Sequence, residues 1–176
     1  KFSALFLQNF EINFILAKIS ARISSTIDYK NLSTCLCHLD YVNKNIIFDE
    51  EDNIWVIDFD KCSMDYCAHD ISYFLRRFLK RTTTNWRLDS TISCLELYEK
   101  IFPLTLDDYK YIISYLSFPQ KFWKISRDYY NNILKCNHNS FFYLLKKASS
   151  NCINQLEFTI EFGKYVEKKF NINCKL

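Results

Sequence analysis

The spacing of apolar residues predicts an amphipathic helix near the beginning of the chain. Five aliphatic residues recur at intervals of three and four, the spacing of one helix face: Ile12, Ile15, Leu16, Ile19 and Ile23. We therefore expect a helix over residues 8–25 that packs against the rest of the protein. The residues before it already read as helical and the first residue is Lys1 rather than Met, so we expect coding sequence upstream.

The pattern changes to short apolar runs between Ser33 and Asp58. Three such runs, at residues 34–37, 46–48 and 54–57, are separated by polar residues and predict the strands of one small sheet. The acidic stretch at residues 50–53 predicts a tight turn, with a two-residue loop at Glu51 and Asp52 joining antiparallel strands. In that hairpin Asn45 would lie opposite Asp58.

Helical spacing returns beyond Asp70 and continues to the end of the chain. One stripe consists of Ile71, Phe74, Leu75, Phe78 and Leu79. Further helices are predicted near residues 90–102, 105–116 and 122–134 and over most of 140–170, with Pro103 and Pro119 between them. We expect a single α+β domain over residues 1–176, mostly helical, with a small β-hairpin sheet.

Composition narrows the classes of protein that fit this pattern. Apolar residues make up 49% of the chain, which excludes a disordered segment, and the net charge of +3 does not by itself indicate nucleic acid or a membrane as partner. Neither a span of about 18 apolar residues nor a signal peptide is visible, so we expect a cytoplasmic protein. Gly163 is the only glycine, which excludes Walker and dinucleotide-binding loops in this segment.

The chain contains eight cysteines, but none of them forms a CxxC pair. Reduced, buried thiols are the simpler interpretation: Cys35, Cys37, Cys62, Cys67, Cys94, Cys136, Cys152 and Cys174. The alternative zinc site would combine Cys35, Cys37 and His38 with Cys62, Cys67 and His69. These spacings match no common zinc finger, so we set that site aside.

The densest cluster of polar residues spans His38 to Asn45 and continues across the predicted hairpin at residues 58–60. Folding the hairpin would bring the amide of Asn45 beside the carboxylate of Asp58 and return Asp40 to the same place. Such oxygens suit Mg²⁺, and an ionised Asp40 could accept a proton from a hydroxyl group. Solvated turn residues are the alternative interpretation.

This arrangement resembles a known family. The order His38-x-Asp40-x-x-x-x-Asn45, a strand pair, and then Ile57-Asp58-Phe59-Asp60 is similar to the catalytic and metal-binding loops of protein-kinase-like phosphotransferases, closest to the aminoglycoside and choline branch. The stretches at 55–62 and 74–77, together with Asp70, resemble bacterial spore-coat kinase-like proteins of the CotS type. The stretch at 118–125, followed by Tyr129 and Tyr130, resembles the late helical region of that family, so the similarity spans residues 35–135.

The resemblance implies the fold of a kinase-like carboxy-terminal lobe, with catalytic and metal loops at 36–60 and a helical subdomain at 69–171. It implies that Asp40 is the catalytic base and that Asn45 and Asp58 bind Mg²⁺ and, with it, ATP. His38 would be structural, and Asp70 would brace the loop, although an N-cap explains Asp70 equally well. Leu39 departs from the family, which commonly has Gly there, and the role of Asp60 stays open.

The resemblance further implies an amino-terminal lobe with a phosphate-covering loop and a nucleotide-pairing lysine, which the residues before 35 do not supply. The chain alone would then be inactive. In the complete protein the implied partners are a nucleotide and a hydroxyl-bearing or spore-coat acceptor, with no membrane and no nucleic acid. The implied localisation is cytoplasmic, with deposition in the spore coat.

Three functions stay open at this point. The first is a CotS-type spore-coat protein that has kept phosphoryl transfer. The second is a small-molecule kinase whose acidic residues bind a positively charged acceptor, for which four residues are available: Glu96, Glu99, Asp107 and Asp108. The third is an inactive, kinase-like protein that acts in coat assembly.

One concentrated basic patch lies near Trp86, and it consists of Arg76, Arg77, Lys80, Arg81 and Arg87. A solvated helix face is the simpler interpretation of this patch. A site for an anionic substrate, a polymer or nucleic acid is the alternative.

Overall fold

The computed structural model describes residues 1–172 and contains seven α-helices in that range. They are α1 (Phe2–Ser24), α2 (Cys67–Leu79), α3 (Leu88–Glu99), α4 (Leu106–Ser117), α5 (Gln120–Asn131), α6 (His138–Ser149) and α7 (Cys152–Phe170). The predicted helices are therefore confirmed, although the predicted 140–170 segment is two helices. Helix α1 begins six residues earlier than the apolar stripe indicated.

The strands form two small antiparallel sheets rather than the single sheet that we expected. Strand β1 (Thr34–Cys37) pairs with β4 (Ser63–Tyr66), and β2 (Ile46–Phe48) pairs with β3 (Ile54–Val56). Strand β4 was not predicted because its sequence, Ser-Met-Asp-Tyr, has no run of apolar or β-branched residues. The α+β fold class, mostly helical with small hairpin sheets, is confirmed.

The hairpin of β2 and β3 has a wider connection than predicted. Phe48 pairs with Ile54, so residues 49–53 join the strands. The carboxylate of Asp49 accepts hydrogen bonds from the backbone N–H groups of Glu51 and Asn53, which organises this longer loop. The indole N–H of Trp55 also donates to it at 2.8 Å. This bond, ahead of those from Asn53 and Glu51, lowers the pKa of Asp49 to about 2.

The main hydrophobic core lies around α4, which contacts α1, α2 and α7. Tyr109, Ile112 and Leu116 of α4 are fully buried against Leu75 of α2 and Phe162 of α7. Burial of one such side chain contributes about 1.5–3 kcal/mol to the stability of the fold. Most of the stabilising burial is therefore in the helices.

A second, smaller core joins the first turns of α1 to α5 and α6. Phe2 stacks on Tyr129 with 3.7 Å between ring centroids, and Phe122 and Leu145 complete the cluster. Helix α1 thus contacts both cores. It therefore connects α5 and α6 to the part of the protein that contains the main core.

Two carboxylates at the start of α4 hold the segment that enters β1. Asp108 accepts hydrogen bonds from the backbone and hydroxyl of Ser33 at 3.0 and 2.7 Å, and it forms a capping box with Thr105. Asp107 accepts from the backbone N–H of Asp28 and the amide of Asn31. These bonds fix where β1 and the loop after it begin.

No helix within residues 1–172 combines the length and apolarity needed to cross a membrane. All seven cysteines in this range are free thiols, and Cys174 lies outside the described residues. Cys35 and Cys37 bring their sulfur atoms to 3.6 Å, but no group of three or more His, Cys, Asp or Glu side chains in the described chain has the geometry of a metal site. The structure gives no support to the zinc alternative.

Candidate functional site

The carboxylate of Asp70 holds the first residues of the loop after β1. The backbone N–H groups of His38 and Leu39 donate to its two oxygens at 2.5 and 2.8 Å. Asp70 lies in the first turn of α2, whose N-cap is Tyr66, so the N-cap interpretation of Asp70 is wrong. The carboxylate instead connects α2 to the loop.

Leu39 has a φ of 58°, in the left-handed region that costs a residue with a β-carbon about 1–2 kcal/mol. This is the position at which we expected glycine from the resemblance. The hydrogen bond from Leu39 to Asp70 helps to hold this conformation. The departure from the family pattern therefore leaves the left-handed turn of the loop in place.

The imidazole of His38 fixes the loop from inside. Its Nδ1 accepts a hydrogen bond from the backbone N–H of Asp40 at 3.3 Å, so its Nε2 carries the proton and donates to the carbonyl of Ile57 at 2.9 Å. His38 is 7% exposed. The ring therefore connects the loop to the residue before Asp58.

Asp40 is buried at the bottom of this loop and is surrounded by donors. Lys61 Nζ lies 3.2 Å and Lys44 Nζ 3.7 Å from its Oδ2, and the hydroxyl of Tyr73 donates to its Oδ1 at 3.3 Å. The hydrogen bond from Lys61 is the main cause that lowers the pKa of Asp40, and Lys44 and Tyr73 act in the same direction. Asp40 is therefore ionised at neutral pH.

Asn45 ends a 3₁₀ helix, Asn43–Asn45, and is 3% exposed. Its amide nitrogen donates to the carbonyl of Asp40 at 2.9 Å, and its own carbonyl accepts from the N–H of Ile57 at 3.0 Å. Asn45 is thus opposite Ile57 and not Asp58, so the predicted register was wrong by one residue. The cause is the five-residue connection at the other end of the hairpin.

Asp58 nevertheless reaches the same place as Asp40. Its φ of 68° is left-handed, a conformation that Asp tolerates better than most residues, and its side chain is 40% exposed. Lys44 Nζ lies 3.7 Å from a carboxylate oxygen of Asp58 and 3.7 Å from one of Asp40. One ammonium group therefore contacts both carboxylates. Asp60 is also exposed.

Sequence reasoning missed three residues of this cluster: Lys44, Lys61 and Tyr73. Lys44 and Lys61 are adjacent in sequence to Asn45 and Asp60 of the motif. This closeness in sequence could have indicated that they lie near the carboxylates. Tyr73 lies 33 residues from Asp40, on the same helix as Asp70. Only the predicted helical spacing from Asp70 could have indicated it, because residues three apart share a helix face.

Most of the acidic residues that we considered for binding a cationic acceptor are used inside the fold. Asp107 and Asp108 are buried and hold the segment before β1. Glu99 accepts from Lys169 and from the hydroxyl of Tyr109. Glu96 alone of the four is exposed.

The basic patch is not a uniformly solvated helix face. Arg76 is 7% exposed and lines a cavity of about 590 Å³ beside the loop, together with Arg77, Lys80 and Arg81. Arg87 is apart from them and pairs with Asp89 at the surface. Trp86, which we had placed with the patch, is in the main core.

The model of the phosphotransferase enzyme family matches residues 4–99, more than half of the chain. The chain belongs to this family. The match covers the loop with Asp40, the hairpin and all of α2. The kinase-like part of the sequence resemblance is thereby confirmed.

A solved structure shows the same fold over nearly the whole chain. It is the crystal structure of an aminoglycoside phosphotransferase from Alicyclobacillus acidocaldarius subsp. acidocaldarius DSM 446, with a TM-score of 0.82 and 21% sequence identity. The alignment covers 96% of this chain and 51% of that one. The chain therefore spans about half the length of this phosphotransferase.

Proposed function

We propose that the complete protein transfers the γ-phosphate of ATP to a hydroxyl group, with Asp40 as the base and Asn45 and Asp58 as magnesium ligands. The observation that carries this proposal is the convergence of Asp40 and Asp58 on Lys44, whose ammonium lies 3.7 Å from each. A buried base and a more exposed carboxylate meet in one site, as phosphoryl transfer requires. Membership of the phosphotransferase family supports the same reaction class.

The residues present suit a magnesium ion. The amide nitrogen of Asn45 is occupied by the carbonyl of Asp40, which leaves its oxygen as the group available to a metal. Lys44 already places a positive charge against Asp58, and its side chain is 68% exposed, so it is free to move away. Magnesium held by Asn45 and Asp58 would neutralise charge on the phosphate oxygens.

Asp40 performs the proton transfer in this proposal. The acceptor oxygen forms a bond to the γ-phosphorus, the bond from that phosphorus to the ADP oxygen breaks, and the hydroxyl proton passes to the Asp40 carboxylate. Tyr73 and Lys61 hold the carboxylate in place during this step. Asp70 and His38 accept hydrogen bonds from the backbone of the loop that contains Asp40, and so fix its position.

We further propose that the complete protein has an additional lobe, which contains the loop that covers the phosphates of the nucleotide. The two small sheets and the loop between β3 and β4 expose large apolar side chains: Leu36, Phe48, Trp55, Phe59 and Met64, each between 55% and 69% exposed. Exposed apolar surface of this extent is typical of a surface that another part of the protein covers. The greater length of the related phosphotransferase supports this proposal.

For the biological setting we propose a CotS-type spore-coat protein, on the strength of the stretch at residues 118–125. In the structure this stretch runs from the end of α4 into the first half of α5, and Phe118 and Gln120 accept hydrogen bonds from Arg76 beside the site. An inactive coat-assembly protein is the second candidate. Its supporting observation is Leu39, which keeps the left-handed turn but does so at a cost of about 1–2 kcal/mol where the family commonly has glycine.

Magnesium-dependent nucleotide binding separates the two candidates. In the full-length protein we expect Mg-ATP to raise the thermal unfolding midpoint and ATP with EDTA to do so far less. Asp58→Ala should remove most of the magnesium-dependent part, because it deletes a ligand. Glu50→Ala, an exposed acidic residue at the other end of the same hairpin, should keep it. A wild-type protein with no magnesium-dependent shift, or an Asp58→Ala variant with an unchanged one, would count against the catalytic proposal.

A further inference from the structure

The cavity beside the candidate base has an unbalanced charge. It measures about 590 Å³ and lies between the loop, α2 and the start of α5. Among the residues that the structure describes, six cationic side chains and no carboxylate line it: Lys44, Arg76, Arg77, Lys80, Arg81 and Lys121. Except for Lys44, none of these six forms an ion pair within residues 1–172.

Arg76 is the member that most clearly lacks a partner. It is 7% exposed, its guanidinium lies 3.9 Å from the ring centre of Tyr115, and it donates to the side-chain oxygen of Gln120 at 2.8 Å. Its Nε is buried with no hydrogen-bond partner in the described chain. Buried cations are normally paired, so an arginine with no carboxylate partner, with other cations around it and with a vacant donor indicates a missing anion.

Lys80 shows the same imbalance. Burial lowers its pKa to about 7, and the positive charges of Arg76 and Lys121 lower it in the same direction. A bound anion would offset the repulsion among these three cations and would give the buried charge of Lys80 a partner. The cavity is therefore arranged to gain more from an anion than a solvated basic surface would.

The cavity is continuous with the site of the proposed reaction. Arg77 donates to the hydroxyl of Tyr73 at 2.7 Å, and that hydroxyl donates to Asp40. Lys44 lines the cavity and also contacts Asp40 and Asp58. A molecule held in the cavity would thus lie next to the proposed base.

We propose that this cavity binds the acceptor through an anionic group, a phosphate or a carboxylate, so that the acceptor is a small anionic hydroxyl compound. The position of its hydroxyl rests on the proposed function. The volume falls within the range of small-molecule sites. A cationic acceptor is disfavoured, because five unpaired cations line the cavity and most of the candidate acidic residues are engaged elsewhere.

Nucleic acid fits the cavity less well than a small molecule does. Single strands bind by stacking bases on open aromatic faces. Here the ring of Tyr115 is covered by Arg76 and that of Tyr73 by Arg77, whose guanidinium lies 4.8 Å from the ring centre. The aromatic faces beside the cations are therefore already occupied.

Calorimetric titration of the full-length protein, without magnesium or nucleotide, tests the proposal. The probes are glucose, glucose 6-phosphate and glucuronate, which share a hydroxylated ring and differ in charge. We expect at least one anionic sugar to bind about tenfold or more tightly than glucose, and the better of the two identifies the anionic group. Equal affinity for all three sugars would overturn the inference, as would tighter binding of a short single-stranded oligonucleotide.

Matched variants assign the binding to the cavity. Lys121→Gln should weaken the anionic sugar about tenfold, whereas Lys124→Gln, on the same helix but outside the cavity, should not. In a second pair, Arg77→Gln should weaken binding of the anionic sugar by a similar factor, whereas Arg87→Gln, outside the cavity, should leave it unchanged. Equal losses within a pair would contradict the proposal, and so would displacement of the sugar by ADP. Because no nucleotide is needed, anion binding can succeed or fail independently of Mg-ATP binding.

Discussion

The helical body and the loop region at residues 38–61 are stabilised in different ways. In the body, side chains such as Leu75 and Ile112 are fully buried, and their removal from water stabilises the fold. In the loop region, strands β2 and β3 leave most of their side chains exposed, and Asp70, His38 and Asn45 hold the backbone through hydrogen bonds. The body therefore determines stability, whereas a few polar side chains determine the shape of the site.

The largest difference between the regions should appear on exchange of Asp40 for Asn. In the full-length protein we expect phosphoryl transfer to fall about 10²–10⁴-fold, because the base is lost. The unfolding midpoint should change little, because Asn has the same shape as Asp. The ion-pair partners that lose their carboxylate, Lys44 and Lys61, are mostly exposed and remain solvated. Asp52→Asn, the same exchange at the exposed tip of the hairpin, is the control. Unchanged turnover would remove Asp40 as the base.

For the free energy of unfolding, a substitution in the helical body should have a larger effect than one in the small sheets. Leu75→Ala should lower the free energy of unfolding by about 2–5 kcal/mol, because it leaves a cavity in the main core. Met64→Ala in β4, where the side chain is 69% exposed, should change it by about 0.5 kcal/mol or less. Urea unfolding of both variants measures the difference. Similar losses would mean that the sheet surface is covered in solution.

Asp70 connects the two regions, so its removal should have an intermediate effect. Asp70→Ala deletes the acceptor of two backbone hydrogen bonds, and we expect a loss of about 1–3 kcal/mol. Amide hydrogen exchange should accelerate most at His38 and Leu39. Asp89→Ala, which also removes an acidic residue from the first turn of a helix, is the control and should leave the loop protected. Uniform acceleration along the chain would show that Asp70 acts on the fold as a whole.

Sequence reasoning predicted the helical body well because helix periodicity reports burial directly. The apolar stripe of α2 includes Leu75 and Leu79, both of which are in the main core. In the strands the same reasoning was weaker. Strand β4 has little apolar character, and the carboxylate of Asp49 shaped a loop that no propensity rule indicated.

The candidate site was predictable only where its residues are close in sequence. The positions of Asp40, Asn45 and Asp58 followed from the motif, but their register depended on the loop length. The cavity combines residues from three distant segments, among them Lys44, Arg76 and Lys121. Its missing countercharge is a property of the folded arrangement, since the chain as a whole is nearly balanced at +3.

Lys44 is part of both proposed binding sites. Its ammonium contacts the carboxylates of Asp40 and Asp58, and the residue also lines the anion cavity. Under the proposed reaction, Asn45 and Asp58 would hold the divalent ion, and the Lys44 ammonium, displaced from Asp58, would be free to turn toward the other cations of the cavity. Loading of the donor would then strengthen the hold on the acceptor, and one mobile side chain would couple the order in which the two substrates bind.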